Sequence, residues 1–227
     1  MTRSPFGRGA VQGLPFLVII VPFGALFGVA ATEAGLSLTQ ILAFSSIVIA
    51  GASQFAAIQL MVDGTPAAIV VLSALAVNLR MAMYSAALAP HLGPAPAWQR
   101  AVIAYLLVDQ VYALAQSAYD TETAWSVSDK VGYLIGVALP VFPGWVGATW
   151  AGAVLGARVP EGLSLDFAVP LAFLALVGPM LRTRAHVAAA FVSVAGALLL
   201  AWMPWNLGLI LAALLAMAVG AEVERRT

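Results

Sequence analysis

The chain has 227 residues, of which 63% are hydrophobic and only 9% charged, with a mean hydropathy of +1.00. Globular domains carry about a quarter charged residues, which excludes an ordinary soluble protein. Ten basic and ten acidic side chains cancel, leaving no basic nucleic-acid face or acidic tail, and the absence of cysteine excludes disulfide frameworks, Cys-ligated metals and thiol catalysis.

Taken in chain order, Arg3 and Arg8 precede a first apolar run in the manner of a signal peptide. Further apolar runs follow at once, so an uncleaved first helix is expected. No charge lies between Arg8 and Glu33, between Glu33 and Asp63, or between Lys130 and Arg158. A transmembrane helix needs about 20 apolar residues, and each gap is long enough. Breaks in the pattern predict spans near 14–31, 39–61, 66–89, 98–118, 132–156, 166–181, 185–203 and 206–221. That makes eight, or seven if the short sixth segment or the last pair is re-entrant. No strand-like alternation is present, so the expected fold is all-α: a polytopic integral membrane helix bundle forming one transmembrane domain over 1–227.

Pro15, Pro22 and Gly24 are expected to interrupt the first span, and Pro140, Pro143 and Gly144 the fifth, freeing backbone carbonyls within the membrane. Trp98, Trp125, Trp145, Trp202 and Trp205 fall near span ends, where interfacial anchors belong. With a cytoplasmic N-terminus and eight spans, Arg3, Arg8, Lys130, Arg182, Arg184, Arg225 and Arg226 lie inside, and only Arg100 and Arg158 outside. Gly35-Leu36-Ser37-Leu38 recurs as Gly162-Leu163-Ser164-Leu165, and at the same offset Gly51 falls on Gly178. This suggests repeat halves 9–118 and 132–221, parallel or inverted according to the span count, as in many secondary transporters. Chance matches in so biased a composition are the competing explanation.

Chemistry must sit in the spans, because the loops are short. Ser53 and Gln54 lie in the second: Ser53 by default packs helices closely, whereas the Gln54 amide needs partners in hydrocarbon. The third carries Asn78, Arg80 and Tyr84, with Arg80 and Tyr84 on one helical face and Asn78, Met81 and Ser85 on another. An arginine at this depth costs roughly 2.5–3.5 kcal/mol even on the lenient insertion scale, which favours a functional role over structural glue. In the fourth, Tyr105, Asp109, Tyr112 and Gln116 fall at helical spacing as a polar stripe facing a cavity or another helix. Arg80 lies ten residues before Pro90 and Asp109 eleven after Trp98. Both therefore reach a depth of about 15–16 Å from the connecting loop, and pairing there offsets much of the cost of two buried charges. The candidate substrate-binding set is Ser53, Gln54, Asn78, Arg80, Tyr84, Asp109 and Tyr112. No catalytic residue, metal or cofactor is expected.

Arg8-Gly9 with Gly13-Leu14-Pro15, Ala50-Gly51-Ala52-Ser53-Gln54-Phe55, Asn78-Leu79-Arg80 with Tyr84-Ser85, and Leu107-Val108-Asp109 occur in that order. Together they resemble the AzlC family, the large subunit of bacterial branched-chain amino acid exporters. The chain departs from the family's pattern at Met81, often His, and at Gln110, often Glu, which counts against a proton relay at those positions. The resemblance implies export of valine, leucine, isoleucine and methionine across the bacterial inner membrane, driven by a proton gradient. It also implies a small hydrophobic AzlD-type partner subunit. Two alternatives come from other classes: an intramembrane serine hydrolase using Ser53 with His91 or His186, and a non-transporting membrane scaffold. Deep Arg80 and Asp109 argue against the scaffold. His91 in a loop and His186 at the start of a span, with Ser53 deep in its own, argue against the hydrolase.

Overall fold

The computed structural model describes residues 4–156, 181, 183–204 and 207–226. The predicted sixth span and the second Gly-Leu-Ser-Leu copy lie outside them. The described residues build a helical membrane protein, as the composition requires. In order these are α1 (Pro5–Gly13), α2 (Leu17–Glu33), α3 (Leu38–Ile47), α4 (Gly51–Val62), α5 (Ala67–Leu92), α6 (Ala97–Leu106), α7 (Asp109–Thr121), α8 (Val127–Gly156), α9 (Arg184–Leu199) and α10 (Leu207–Arg226). Four stretches are long and apolar enough to cross a bilayer: Pro5–Glu33, Ala67–Leu92, Val127–Gly156 and Leu207–Arg226.

The helix ends follow local chemistry. Ser37 and Gln40 form a reciprocal capping box at the start of α3, and Ser4 caps α1. Gly35, at φ +82°, ends α2: its N–H donates to the Thr32 carbonyl and that of Leu36 to Ala31, a Schellman motif that needs a left-handed residue.

The chain divides into two compact units, one of Met1–Phe55 with Val77–Pro160, the other of Ala56–Ala76 with Glu161–Thr227. In the second, α9 and α10 pack as an antiparallel pair through small residues. A Cβ at Gly196 would lie 3.0 Å from that of Ala212, and Gly220 meets Ala189. Glu222 there accepts from Arg225 and Arg226 of its own helix.

The core of the first unit is the packing of α1 and α2 on α8. Backbones approach so closely that a Cβ at Gly28 would strike the Thr149 carbonyl, and one at Gly152 the Ala25 carbonyl. Without a hydrophobic drive between helices in lipid, such small-residue seams supply the association energy. Gly9 meets Tyr133, Gly13 meets Val137, Gly24 meets Trp145 and Gly28 meets Thr149. Residue numbers rise together along both partners, so the two helical stretches run parallel. Buried Ser45 of α3 and Thr149 share a hydrogen bond of 3.0 Å across the same layer.

The prolines depart from expectation. Leu14-Pro15-Phe16 forms a 3-10 turn, but Pro22 sits inside continuous α2, and Pro140 and Pro143 inside continuous α8. The full interruptions fall elsewhere, at Val48–Ala50 and Leu107–Val108. Each contains a tight i to i+2 bond, from the Ala50 N–H to the Val48 carbonyl and from the Val108 N–H to the Leu106 carbonyl. Leu107, at φ −81° and ψ 78°, has inverse γ-turn geometry.

The second interruption reverses the chain. His91, at the end of α5, bonds Lys130 at the start of α8, and its ring lies 5.3 Å from that of Tyr119 near the end of α7. Arg80 meets Asp109, Tyr84 meets Tyr112 and His91 meets Tyr119, so this part of α5 runs parallel to α7. Only four residues separate α5 from α6, so α6 starts at the Lys130 end, rises to the break, and α7 returns. The predicted fourth span, 98–118, is therefore two antiparallel half-helices folded back on each other and not one continuous helix. Arg100, expected on the opposite side, shares an end with Arg8 and Lys130.

Candidate functional site

Reversal at Leu107–Val108 exposes the first turn of α7 at mid-depth, and Asp109 is its first residue. A helix N-terminus favours negative charge, which explains an acid there. Arg80 Nη1 donates to Asp109 Oδ2 at 2.7 Å, and the Tyr84 hydroxyl donates to Oδ1 at 3.0 Å. The Tyr84 ring stacks on Tyr112, centroids 4.2 Å apart and planes 9° from parallel. Four of the seven residues singled out in the sequence thus form one cluster. Its charges are not sealed in protein: the Arg80 and Asp109 side chains are 31% and 42% exposed. Arg80 keeps donor capacity in reserve, since its buried Nε has no partner.

The other three sit apart from this ion pair. The Asn78 Oδ1 is buried without a partner. Ser53 is buried and its hydroxyl donates to the Ala50 carbonyl at 2.9 Å, a group that also accepts from the Gln54 N–H at the start of α4. Gln54 is fully buried with neither amide atom bonded. The predicted stripe through Tyr105, Asp109, Tyr112 and Gln116 is not continuous, because the break separates Tyr105 from the rest. Tyr105 instead donates to the Ser46 carbonyl, two residues before the other break, and so ties the two interruptions together. Gln116 bonds Asp120 at 3.0 Å.

Trp145 was expected at an interface and lies instead near the middle of α8, 6% exposed. It packs with Phe23 and Phe27, centroids 5.9 and 6.0 Å away, and Phe55 joins them at 4.9 Å from Phe23. Its position 18 residues into a 30-residue apolar helix was the signal that sequence reasoning passed over. Trp98 and Trp202 are exposed, as belt residues should be, and Trp125 lies against the Arg8 guanidinium. At that end of the unit Arg8 pairs with Glu122 and the Tyr119 hydroxyl donates to the Lys130 carbonyl, cross-linking α1, α7 and α8.

The model of the family described as "AzlC protein" matches residues 15–159, which include the cluster, both breaks and the part of the glycine seam from Gly24 on. The chain belongs to the AzlC family. An "Uncharacterized membrane protein" of Archaeoglobus fulgidus is 31% identical over 92% of this chain and 91% of its own length. The "Inner membrane protein YgaZ" of Escherichia coli is 28% identical over 77% of this chain and 72% of its own length. No solved structure matches. Family membership gives this AzlC protein a place among membrane proteins with a transport-related role.

Proposed function

We propose that this AzlC protein exports the branched-chain amino acids valine, leucine and isoleucine, and with them the unbranched methionine, using a proton gradient and a small hydrophobic AzlD-type partner. The observation that carries the reading is Arg80 paired with Asp109 at a helix break, both partly open, with Tyr84 donating to Asp109. A zwitterion needs one cation and one anion at hydrogen-bonding distance, and this cluster offers both. Asp109 receives the ammonium and Arg80 the carboxylate, each charge exchanging its protein partner for the substrate.

The clustering of Arg8, Arg100 and Lys130 at one end supports a cytoplasmic N-terminus. The name of the Escherichia coli relative supports placement in the inner membrane. An enzymatic reading draws no support from the geometry. The Ser53 hydroxyl is committed to a backbone carbonyl, and His91 bonds Lys130 at the Arg8 end of the unit.

The test is reconstitution of the chain with and without its small partner in vesicles loaded with labelled valine. Gradient-dependent valine movement with both subunits supports the proposal. No movement of any aliphatic amino acid under either condition overturns it.

A further inference from the structure

The first interruption leaves a second half-helix start at mid-depth. Gly51, Ala52 and Ser53 open α4, and the N–H groups of a first helical turn have no acceptor within their own helix. This end is capped by aromatic rings. A Cβ at Gly51 would lie 2.7 Å from the Phe23 ring and 2.9 Å from the Trp145 indole. Phe55, one turn further on, meets both Phe23 and Phe27.

Gly51, Gln54 and Phe55 fall on one face of α4 by their i, i+3 and i+4 spacing, so Gln54 shares the face that meets these rings. Helical side chains lean toward the N-terminus, which lays the Gln54 amide over the first turn. Both of its polar atoms are buried and unbonded, and so is Nε1 of Trp145, whose six-membered ring packs on Gly51. Three orphaned polar atoms around one helix start, in the interior of a membrane protein, represent a large uncompensated cost unless something else bonds them.

We infer that the start of α4, with the Gln54 amide and Trp145 Nε1, is a carboxylate-binding station for an aliphatic amino acid. Phe23, Phe27 and Phe55 form the wall for its side chain. The donors match a carboxylate: backbone N–H groups at a helix N-terminus, an amide NH2 and an indole N–H. The apolar wall matches an unbranched or branched aliphatic chain and excludes a charged one. No charged side chain contributes, so this station is chemically distinct from the Arg80–Asp109 cluster. The Tyr105 bond to the Ser46 carbonyl makes the two breaks neighbours, and a substrate passes between a charged station and a neutral one. In this structure the rings close over the neutral one. This inference rests on the amino acid reading above for its ligand class, but the anion chemistry stands on the donors alone.

The experiment uses the full chain with its small partner, purified in detergent. It compares valine with isovalerate, which lacks the ammonium, and valinamide, which lacks the carboxylate. Valine and isovalerate are expected to raise the unfolding temperature, and valinamide is not. Gln54→Leu, which keeps the side-chain volume, and Trp145→Phe, a smaller ring, both remove donors and should abolish that shift and raise the valine KM for transport by about tenfold or more. Because Gln54→Leu removes two orphaned polar atoms at nearly constant volume, it should not lower the unfolding temperature of the ligand-free protein, whereas Trp145→Phe leaves a cavity and should lower it. Valine transport by wild type with unchanged KM in both variants overturns the station and leaves the export reading intact. A carboxylate shift lost in both variants, without amino acid transport by wild type, overturns the export reading and keeps the station. No shift with either carboxylate overturns the station, as does an equal shift with valinamide.

Discussion

Removing either member of the Arg80–Asp109 pair strands the other at mid-depth. The 2.7 Å contact is a charge-assisted hydrogen bond between groups that are 31% and 42% exposed. An effective dielectric near 20 would give about 4 kcal/mol of attraction at 4 Å, and partial exposure reduces that. A net loss of about 1.5–3 kcal/mol is therefore expected for Arg80→Ala and for Asp109→Ala. The double variant leaves no unpaired charge, so its destabilisation should fall below the sum of the singles by about 2 kcal/mol. Reversible unfolding in mixed micelles measures all four corners of the cycle. Vesicle transport of valine should be lost in both singles and remain lost in the double, because stability recovers and the substrate contacts do not. A coupling energy within about 0.5 kcal/mol of zero refutes the pairing as an energetic fact.

The absence of native cysteine makes topology directly testable: Trp98→Cys and Thr123→Cys should react with an impermeant maleimide from the same side of the membrane. Labelling from opposite sides would mean that α6 and α7 cross the bilayer after all. Gly152→Ala should greatly reduce folded protein, since a Cβ there would drive into the α2 backbone. Gly147→Ala, with nothing within 4 Å, should leave yield and melting unchanged; equal effects of the two would show that the seam does not hold the unit together. Thr149→Val should cost about 1–3 kcal/mol by orphaning the buried Ser45 hydroxyl. Adding Ser45→Ala should restore much of that in the same unfolding assay, and a double variant no better than the single would assign the loss to packing instead.

The long spans were legible because hydrophobic length is nearly all that a bilayer demands of a helix. α5 and α8 extend the predicted 66–89 and 132–156 by three residues or more at one end, where the polar residues His91 and Asp129 belong to the end turns. The pairing of Arg80 with Asp109 was legible for a related reason: depth can be counted from the connecting loop, and unpaired charge at that depth is expensive. The reversal between them was not. A re-entrant hairpin and a crossing helix place Asp109 at the same distance from the loop, so the depth argument gives one answer for two topologies. The breaks themselves were hidden because Val48-Ile49-Ala50 and Leu107-Val108 contain no proline or glycine. A γ-turn among apolar residues leaves no mark in composition. Pro22, Pro140 and Pro143 lie within helices packed along the glycine seam, where neighbouring backbone compensates for the lost donor.

The same geometry points to where internal symmetry lies. α3 and α6 each have ten residues, are separated by 59 positions at both ends (97 − 38 and 106 − 47), and end in the same kind of i to i+2 turn. Within the first unit they enter from opposite ends: α3 descends from the Glu33 end to the Thr149 layer, and α6 rises from the Lys130 end. Their terminal turns meet where Tyr105 bonds the Ser46 carbonyl. The sequence shows almost none of this, since at that offset only Gln40 and Gln99 coincide between the two helices. The residues that follow each turn diverge in chemistry as well. One break leads into Asp109 with an arginine partner, the other into Gly51 with an amide and an indole. On the proposed function, two half-helix starts of unlike electrostatics, linked through the Tyr105 bond, would give a zwitterion two different hosts.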